Sequence, residues 1–152
     1  MPDPAMERTL GLMLEVRPFV ESDRFALEVI YRDCRREAAW LPPAVRNRSN
    51  FARDTEGEAL FVAVGNTDEP EGFVSVWKPE SFIHHLYVRR SARRRGVGER
   101  LLNSLNGRIP KPWRVKCVRA NEEAFRFYLK RGWTEVSSGT SEDGPFATLE
   151  RT

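Results

Sequence analysis

The stretch "LYVRRSARRRGVGERLL", Leu86 to Leu102, decides how this chain is read. It starts as an apolar, β-rich run, passes through five arginines and then opens a leucine-rich helical pattern on Gly96-Val97-Gly98. A strand, a short basic loop and a Gly-x-Gly helix start let unpaired backbone N–H groups meet an anion, with the helix dipole adding attraction. Glycines at 96 and 98 leave no side chain between backbone and ligand and permit conformations closed to other residues. Neither the dinucleotide nor the Walker pattern is met, because a third glycine and a Gly-Lys-Ser/Thr are both missing. Taken by residues alone, three readings stay open: a phosphate loop, a plain turn with solvated arginines, and a nucleic-acid patch.

Working outward, three β-rich runs precede this point: Ala59 to Val64, Gly72 to Lys78 and Phe82 to Val88. Turn compositions separate them, so an antiparallel meander is the economical reading. Further upstream, Leu12 to Phe19 reads as a first strand. Ser22 is the expected N-cap, with Asp23 in the first turn, of a helix reaching about Glu37, with Phe25, Leu27, Val29, Ile30 and Cys34 as its apolar stripe. Leu41-Pro42-Pro43 breaks the chain, and Ala44 to Thr55 suggests a second, weaker helix. Met1 to Gly11 lacks periodicity and is expected to fray.

Downstream, Val97, Leu101, Leu102 and Leu105 fall at helical spacing, and Gly107 with Pro110 marks the stop. Trp113 to Val118 reads as a strand, Asn121 to Arg131 as a helix closed by Gly132, and Trp133 to Val136 and Phe146 to Leu149 as strands. The order predicts an α/β fold with a mixed sheet, in one domain over residues 1–152.

Length and composition agree. A chain of 152 residues buries roughly two-thirds of its unfolded surface in one core. Its 40% hydrophobic and 31% charged residues are globular values. A net charge of +3 suits an anionic ligand, but 25 basic against 22 acidic residues is too balanced to imply nucleic acid. Cys34 and Cys117 stand apart, without metal-ligand spacing, and read as buried free thiols rather than a disulfide or zinc site. No apolar run approaches a membrane span and no leader pattern is evident, so a soluble cytoplasmic protein is expected.

The opening stretch resembles motif A of the GCN5-related N-acetyltransferases (GNAT), in which a strand is followed by Arg/Gln-x-x-Gly-x-Gly/Ala and a helix; Arg93, Gly96 and Gly98 take the three defining places. "RANEEAFRFYLKRGW", Arg119 to Trp133, resembles the same family's motif B, with Asn121, Ala124, Phe127, Tyr128 and Gly132 matched. The two motifs cover about 50 residues and stand in the family's order, with a short strand between them.

The resemblance implies a mixed sheet of about seven strands flanked by four helices, with strands four and five splayed around acetyl-CoA. The amides of Arg93, Arg94, Arg95, Gly96, Val97 and Gly98 would hold its pyrophosphate, with some arginines meeting the 3'-phosphate. The backbone of Leu86, Tyr87 and Val88 would pair with the pantetheine arm, and one of those amides would polarise the thioester carbonyl. Asn121 would bond the same arm. Its spacing from Tyr128, about two helical turns, puts both side chains on one face. Tyr128 is the candidate general acid for the departing thiolate; capping by Asn121 and packing by Tyr128 are the plainer roles these residues could fill.

The acceptor amine must lose a proton, which calls for a base titrating near neutrality, and histidine is the natural side chain. Strict alternation groups His84 with Phe82 and Leu86 and sends His85 to the other face, and a bulge would shift that parity. His84 matches the place of a catalytic strand histidine in arylalkylamine-type relatives, with His85 and Glu80 as alternatives. Family members that acetylate ribosomal-protein N-termini carry a glutamate five residues before the motif B asparagine; here that place is Lys116, which argues against that subclass. Tyr31, Arg35, Trp40, Leu41, Pro42 and the loop Ser137 to Pro145 are expected around the acceptor, although Trp40 beside two prolines reads more readily as a packing plug.

The reading is an acyltransferase that moves acetyl from acetyl-CoA to a primary amine of a small molecule or peptide by direct attack in a ternary complex. It uses no metal, and its partners are acetyl-CoA and the amine rather than nucleic acid or membrane; a homodimer stays open. Cys117, on the fifth strand, is a minor alternative nucleophile. A non-catalytic acyl-CoA sensor would keep Gly96, Gly98 and Asn121 without needing Tyr128. A nucleic-acid binder would rest on Arg89, Arg90, Arg93, Arg94, Arg95 and Arg100, but no aromatic interleaves that run.

Overall fold

A computed structural model of the protein describes residues 14–152. The expected fraying of Met1 to Gly11 lies outside the described residues. Seven strands form one mixed sheet: β1 (Glu15–Pro18), β2 (Ala59–Val64), β3 (Pro70–Trp77), β4 (Phe82–Val88), β5 (Trp113–Val118), β6 (Thr134–Ser141) and β7 (Gly144–Arg151), in the order β1-β2-β3-β4-β5-β7-β6. Every pairing is antiparallel except β4 with β5, which is parallel.

On one face lies α1 (Arg24–Glu37). Its Leu27, Ile30, Tyr31 and Cys34, spaced at i, i+3, i+4 and i+7, present one buried stripe to Val62, Val64 and Phe73 of the meander. Burial of Leu27 or Ile30 contributes roughly 1.5–3 kcal/mol each. Phe25, expected in that stripe, is 77% exposed, and Tyr31 takes the inward place. Ser22 does not cap. A single 3-10 turn, Glu21–Asp23, precedes the helix, and the buried Asp23 carboxylate accepts from Val20 N at 3.0 Å and from both terminal nitrogens of Arg17 at 2.8 and 2.9 Å.

The second helix expected over Ala44 to Thr55 is two separate turns, α2 (Pro43–Arg46) and α3 (Phe51–Asp54). Pro43 opens the first, and Asn50 caps the second by accepting from Arg53 N at 3.1 Å, so the polar run between them breaks the helix in two.

The other face carries α4 (Val97–Asn103) and α5 (Glu122–Lys130), packed over Val74, Val76, Ile83, Val115 and Leu149. Gly132, at φ +87°, closes α5, with Trp133 N donating to Tyr128 O at 3.2 Å. The last hairpin is longer than expected. β6 and β7 run eight residues each and turn at Glu142-Asp143, so most of Ser137 to Pro145 is strand rather than loop.

Strands β4 and β5 touch in two registers, Phe82 with Arg114 and Ile83 with Val115, and then part. The gap that opens beside Leu86, Tyr87 and Val88 is the splay that the family pattern implies.

Candidate active site

The gap is a cleft of about 350 Å³. Leu86 and Tyr87 of β4 form one wall, Cys117 and Val118 of β5 the other, and Asn121, Ala124 and Tyr128 reach it from α5.

At its outer end β4 runs through a 3-10 turn, Arg90–Ala92, into α4. Arg94 and Gly96 both hold positive φ, +65° and +78°, which turns successive amides the same way. The amides from Arg94 to Glu99 donate to no protein acceptor among the described residues. Arg93, expected to contribute its amide, does not belong with them: that N–H donates to Arg90 O at 3.3 Å. Its side chain instead folds back, Nε to Val88 O at 3.0 Å and Nη2 to the buried Cys34 Sγ at 3.3 Å, tying the loop to β4 and α1. The Val88 carbonyl is therefore already engaged by the chain itself.

The two glycines serve different ends. A Cβ on Gly96 would meet nothing within 4 Å, so left-handed φ rather than space is what demands glycine there. A Cβ on Gly98 would stand 3.4 Å from the ring of Phe127, an ordinary contact, so an alanine fits where α4 faces α5. A third, Gly72 on β3, allows close approach at the end of β4, since a Cβ there would fall 2.7 Å from Tyr87 O. Of the arginine run, Arg89 pairs loosely with Glu69 and Glu71, and Arg90, Arg94 and Arg95 stand exposed.

Asn121 caps α5, its Oδ1 accepting from Ala124 N at 3.2 Å. Tyr128 is buried, edge-on to Phe127 and Trp133. Burial, with Cys117 and Tyr87 adding to it, raises its phenol above the ordinary tyrosine range, so it stays protonated at neutral pH. Burial likewise pushes the Cys117 thiol up to about 11, away from the thiolate a nucleophile needs.

Across the cleft, strict alternation fails. Ser75 and Val76 are consecutive on β3 but pair with His85 and Ile83, so His84 is an extra residue bulged out of β4. Ile83 packs in the core under α4 and α5, while His85 stacks with Tyr87 and meets Tyr31 on the α1 face. His84 is not grouped with Leu86 as alternation predicts; its Nδ1 contacts Glu58 Oε2, and its side chain is 41% exposed. Glu58, one residue before β2, has a side chain only 2% exposed, and its Oε1 has no hydrogen-bond partner, with His85 Nε2 3.9 Å away. His85 Nε2 lies 3.1 Å from the Asp54 carbonyl, which can only accept, so that nitrogen carries the proton. Burial lowers the pKa of His85, against the pull of the Asp54 carbonyl and Glu58, and favours the neutral ring. Glu80, in an exposed turn, does not line the cleft.

The cleft also holds Arg35 and Trp40 from α1 and the segment after it, Lys116 from β5 and Asp143 from the last turn. Trp40 lines the cleft while packing on Ala38, Leu41 and Val45, so it is plug and wall at once. Tyr31 and Leu41 are core residues, Tyr31 donating to Asp54 Oδ2 at 2.8 Å. Sequence reasoning overlooked Glu58. An acidic residue after Gly57 at a strand entrance looks like any solvated turn position, and only the bulge in β4 brings both histidines to it.

Known proteins share this fold. The family profile described as an acetyltransferase (GNAT) domain matches residues 30–148. By sequence, no curated protein matches the chain. Among solved structures, the apo form of YjaB from Escherichia coli is 20% identical at a TM-score of 0.74, covering 90% of this chain and 96% of that one. Ard1 from Thermoplasma volcanium is 21% identical at 0.69, covering 91% and 97%. Naa50 of Arabidopsis thaliana, solved with the bisubstrate analogue CoA-Ac-MVNAL, is 18% identical at 0.66, covering 92% and 99%. With the profile spanning most of its length and the splayed β4–β5 cleft at its centre, the chain belongs to the GNAT acetyltransferase family.

Proposed function

We propose that this cleft transfers acetyl from acetyl-CoA to a primary amine of a small molecule or peptide, by direct attack in a ternary complex. The observation that carries the reading is one continuous cleft with a protonated phenol, Tyr128, on its α5 wall and a carboxylate-supported imidazole, His84, opposite. The residues fit the co-substrate. Free amides from Arg94 to Gly98 suit a pyrophosphate, the exposed Arg90, Arg94 and Arg95 suit a further phosphate, and the gap beside Leu86, Tyr87 and Val88 suits a narrow extended arm.

Glu58 fixes His84 with the proton on Nδ1, which leaves Nε2 as the ring's acceptor for the amine proton. A backbone amide of the Leu86 to Val88 segment polarises the thioester carbonyl. Tyr128 donates its phenolic proton to the thiolate as the C–S bond breaks, and the Asn121 side-chain amide steadies the arm. That a structural neighbour accommodates a CoA-linked acetyl peptide supports a ternary complex.

The test is a thermal-shift series with acetyl-CoA followed by a free-thiol assay over an amine panel. At about 100-fold excess over Kd, binding adds roughly 2.7 kcal/mol of stability. A flat thermal-shift series rules out the coenzyme site. Stabilisation without thiol release from any amine leaves an acyl-CoA sensor.

A further inference from the structure

We propose that the acceptor carries a carboxylate a few bonds from its amine, as an α-amino acid does, and that Arg35 and Lys116 bind that carboxylate; this rests on the acetyl-transfer reading. Arg35 leaves α1 and crosses the Tyr31 ring, 5.5 Å from its centroid, into the cleft. Its side chain is 11% exposed, Nη1 reaches Tyr87 Oη at 3.4 Å, and Nε is buried with no partner. Lys116 enters from the β5 wall, over the ring of Phe146, and donates to Ser141 Oγ at 2.7 Å.

The two cations share one carboxylate, Asp143, and neither bonds it directly: the separations are 3.8 and 3.9 Å. Glu142, next along the turn, points to Arg48 instead. The patch therefore holds one uncompensated positive charge and more N–H donors than protein acceptors, partly withdrawn from water, a condition an incoming anion relieves. Behind the wall formed by His84 and His85 lies a group of the reverse sign, the buried Glu58. Both groups abut the same aromatic pair, Tyr31 and Tyr87: the Arg35 guanidinium lies 5.5 Å from the Tyr31 centroid and the His85 ring 5.3 Å from it. A cleft with a carboxylate behind its histidines and a cationic pair about one ring away matches a short zwitterion. A simple alkylamine or polyamine would meet the surplus charge unpaired.

The experiment measures thiol release from acetyl-CoA with free amino acids, their carboxamides, their decarboxylated amines, and peptides with an acidic first residue. Free amino acids are expected to exceed their own carboxamides in kcat/KM by roughly ten- to hundredfold, the worth of a charge-assisted contact. R35Q and K116M shrink that ratio toward one, while D143N enlarges it, because it removes the competing carboxylate. The opposite signs of K116M and D143N keep the test decisive if R35Q does not fold. Acidic-first peptides outrunning free amino acids would assign the carboxylate to a peptide side chain, with the same two cations binding it. Equal turnover of carboxylates and carboxamides overturns the inference and leaves acetyl transfer standing, as do variants that lower both members of a pair alike. Failure of acetyl-CoA to stabilise the protein defeats the underlying reading, and this one with it.

Discussion

The loop from Arg94 to Gly98, proposed to seat the coenzyme, offers backbone amides, whereas the proposed acceptor pocket is made of side chains from four separate places: α1, the bulge in β4, β5 and the β6–β7 turn. The first depends on the φ of two neighbouring residues and is local in the chain. The second depends on a strand register and on long-range packing. A local backbone device is hard to alter without losing it, while a wall of side chains drawn from distant positions changes one residue at a time.

The comparison is most severely strained at His84. H84A is expected to lower kcat/KM by roughly 10²- to 10³-fold. E58Q should lower kcat/KM less, as it disturbs only the orientation of the ring. Wild-type kcat/KM in H84A would take the base away from the bulge. Y128F comes next, with kcat down roughly 10- to 100-fold and the KM for acetyl-CoA within about twofold of wild type. Because the phenol is raised by burial, wild-type activity should not decline through its ionisation anywhere near neutral pH.

At the backbone end, G96V forces a β-branched residue into left-handed φ, which costs about 1–2 kcal/mol. About tenfold in the KM for acetyl-CoA follows, with kcat nearly unchanged. G98A, whose new methyl would make ordinary contact with Phe127, should shift that KM less than threefold. Equal effects at the two glycines would show that space rather than φ shapes the loop.

The smallest effect on activity belongs to D23N, remote from both ends. Arg17 hydrogen bonding holds the Asp23 carboxyl below the usual carboxylate range, so its stabilisation is complete above the unfolded pKa and disappears as pH falls through the native one. D23N should cost roughly 1–3 kcal/mol at neutral pH, less below about pH 4, with kcat/KM unaltered; urea denaturation at two pH values measures it.

The same division explains what the sequence could tell. Ala59–Val64, Phe82–Val88 and Trp113–Val118 are legible to the residue because each β-rich run is bounded by turn-forming or polar residues. The Asn121 cap, Gly132 and the Gly-x-Gly helix start are legible because capping chemistry is local. The parity of His84 is not, because a bulge answers to pairing with β3 rather than to anything in "FIHHLYV". Ser22 does not cap because the turn before α1 is built on the Asp23 carboxylate, whose partner Arg17 lies on another element. Glu58 took meaning only when the sheet brought it beside the bulged histidines, and the length of the last hairpin was hidden by a polar composition typical of loops.

Two registers join β4 to β5, so the seven-stranded sheet is mechanically a pair of smaller sheets pinned at one corner. An extended molecule laid in the opening acts as a guest strand and bridges the two leaves. Amide exchange along Leu86 to Val88 and Val115 to Val118 should therefore slow together on adding coenzyme, coupling the meander to the final hairpin across a seam that the polypeptide itself leaves open.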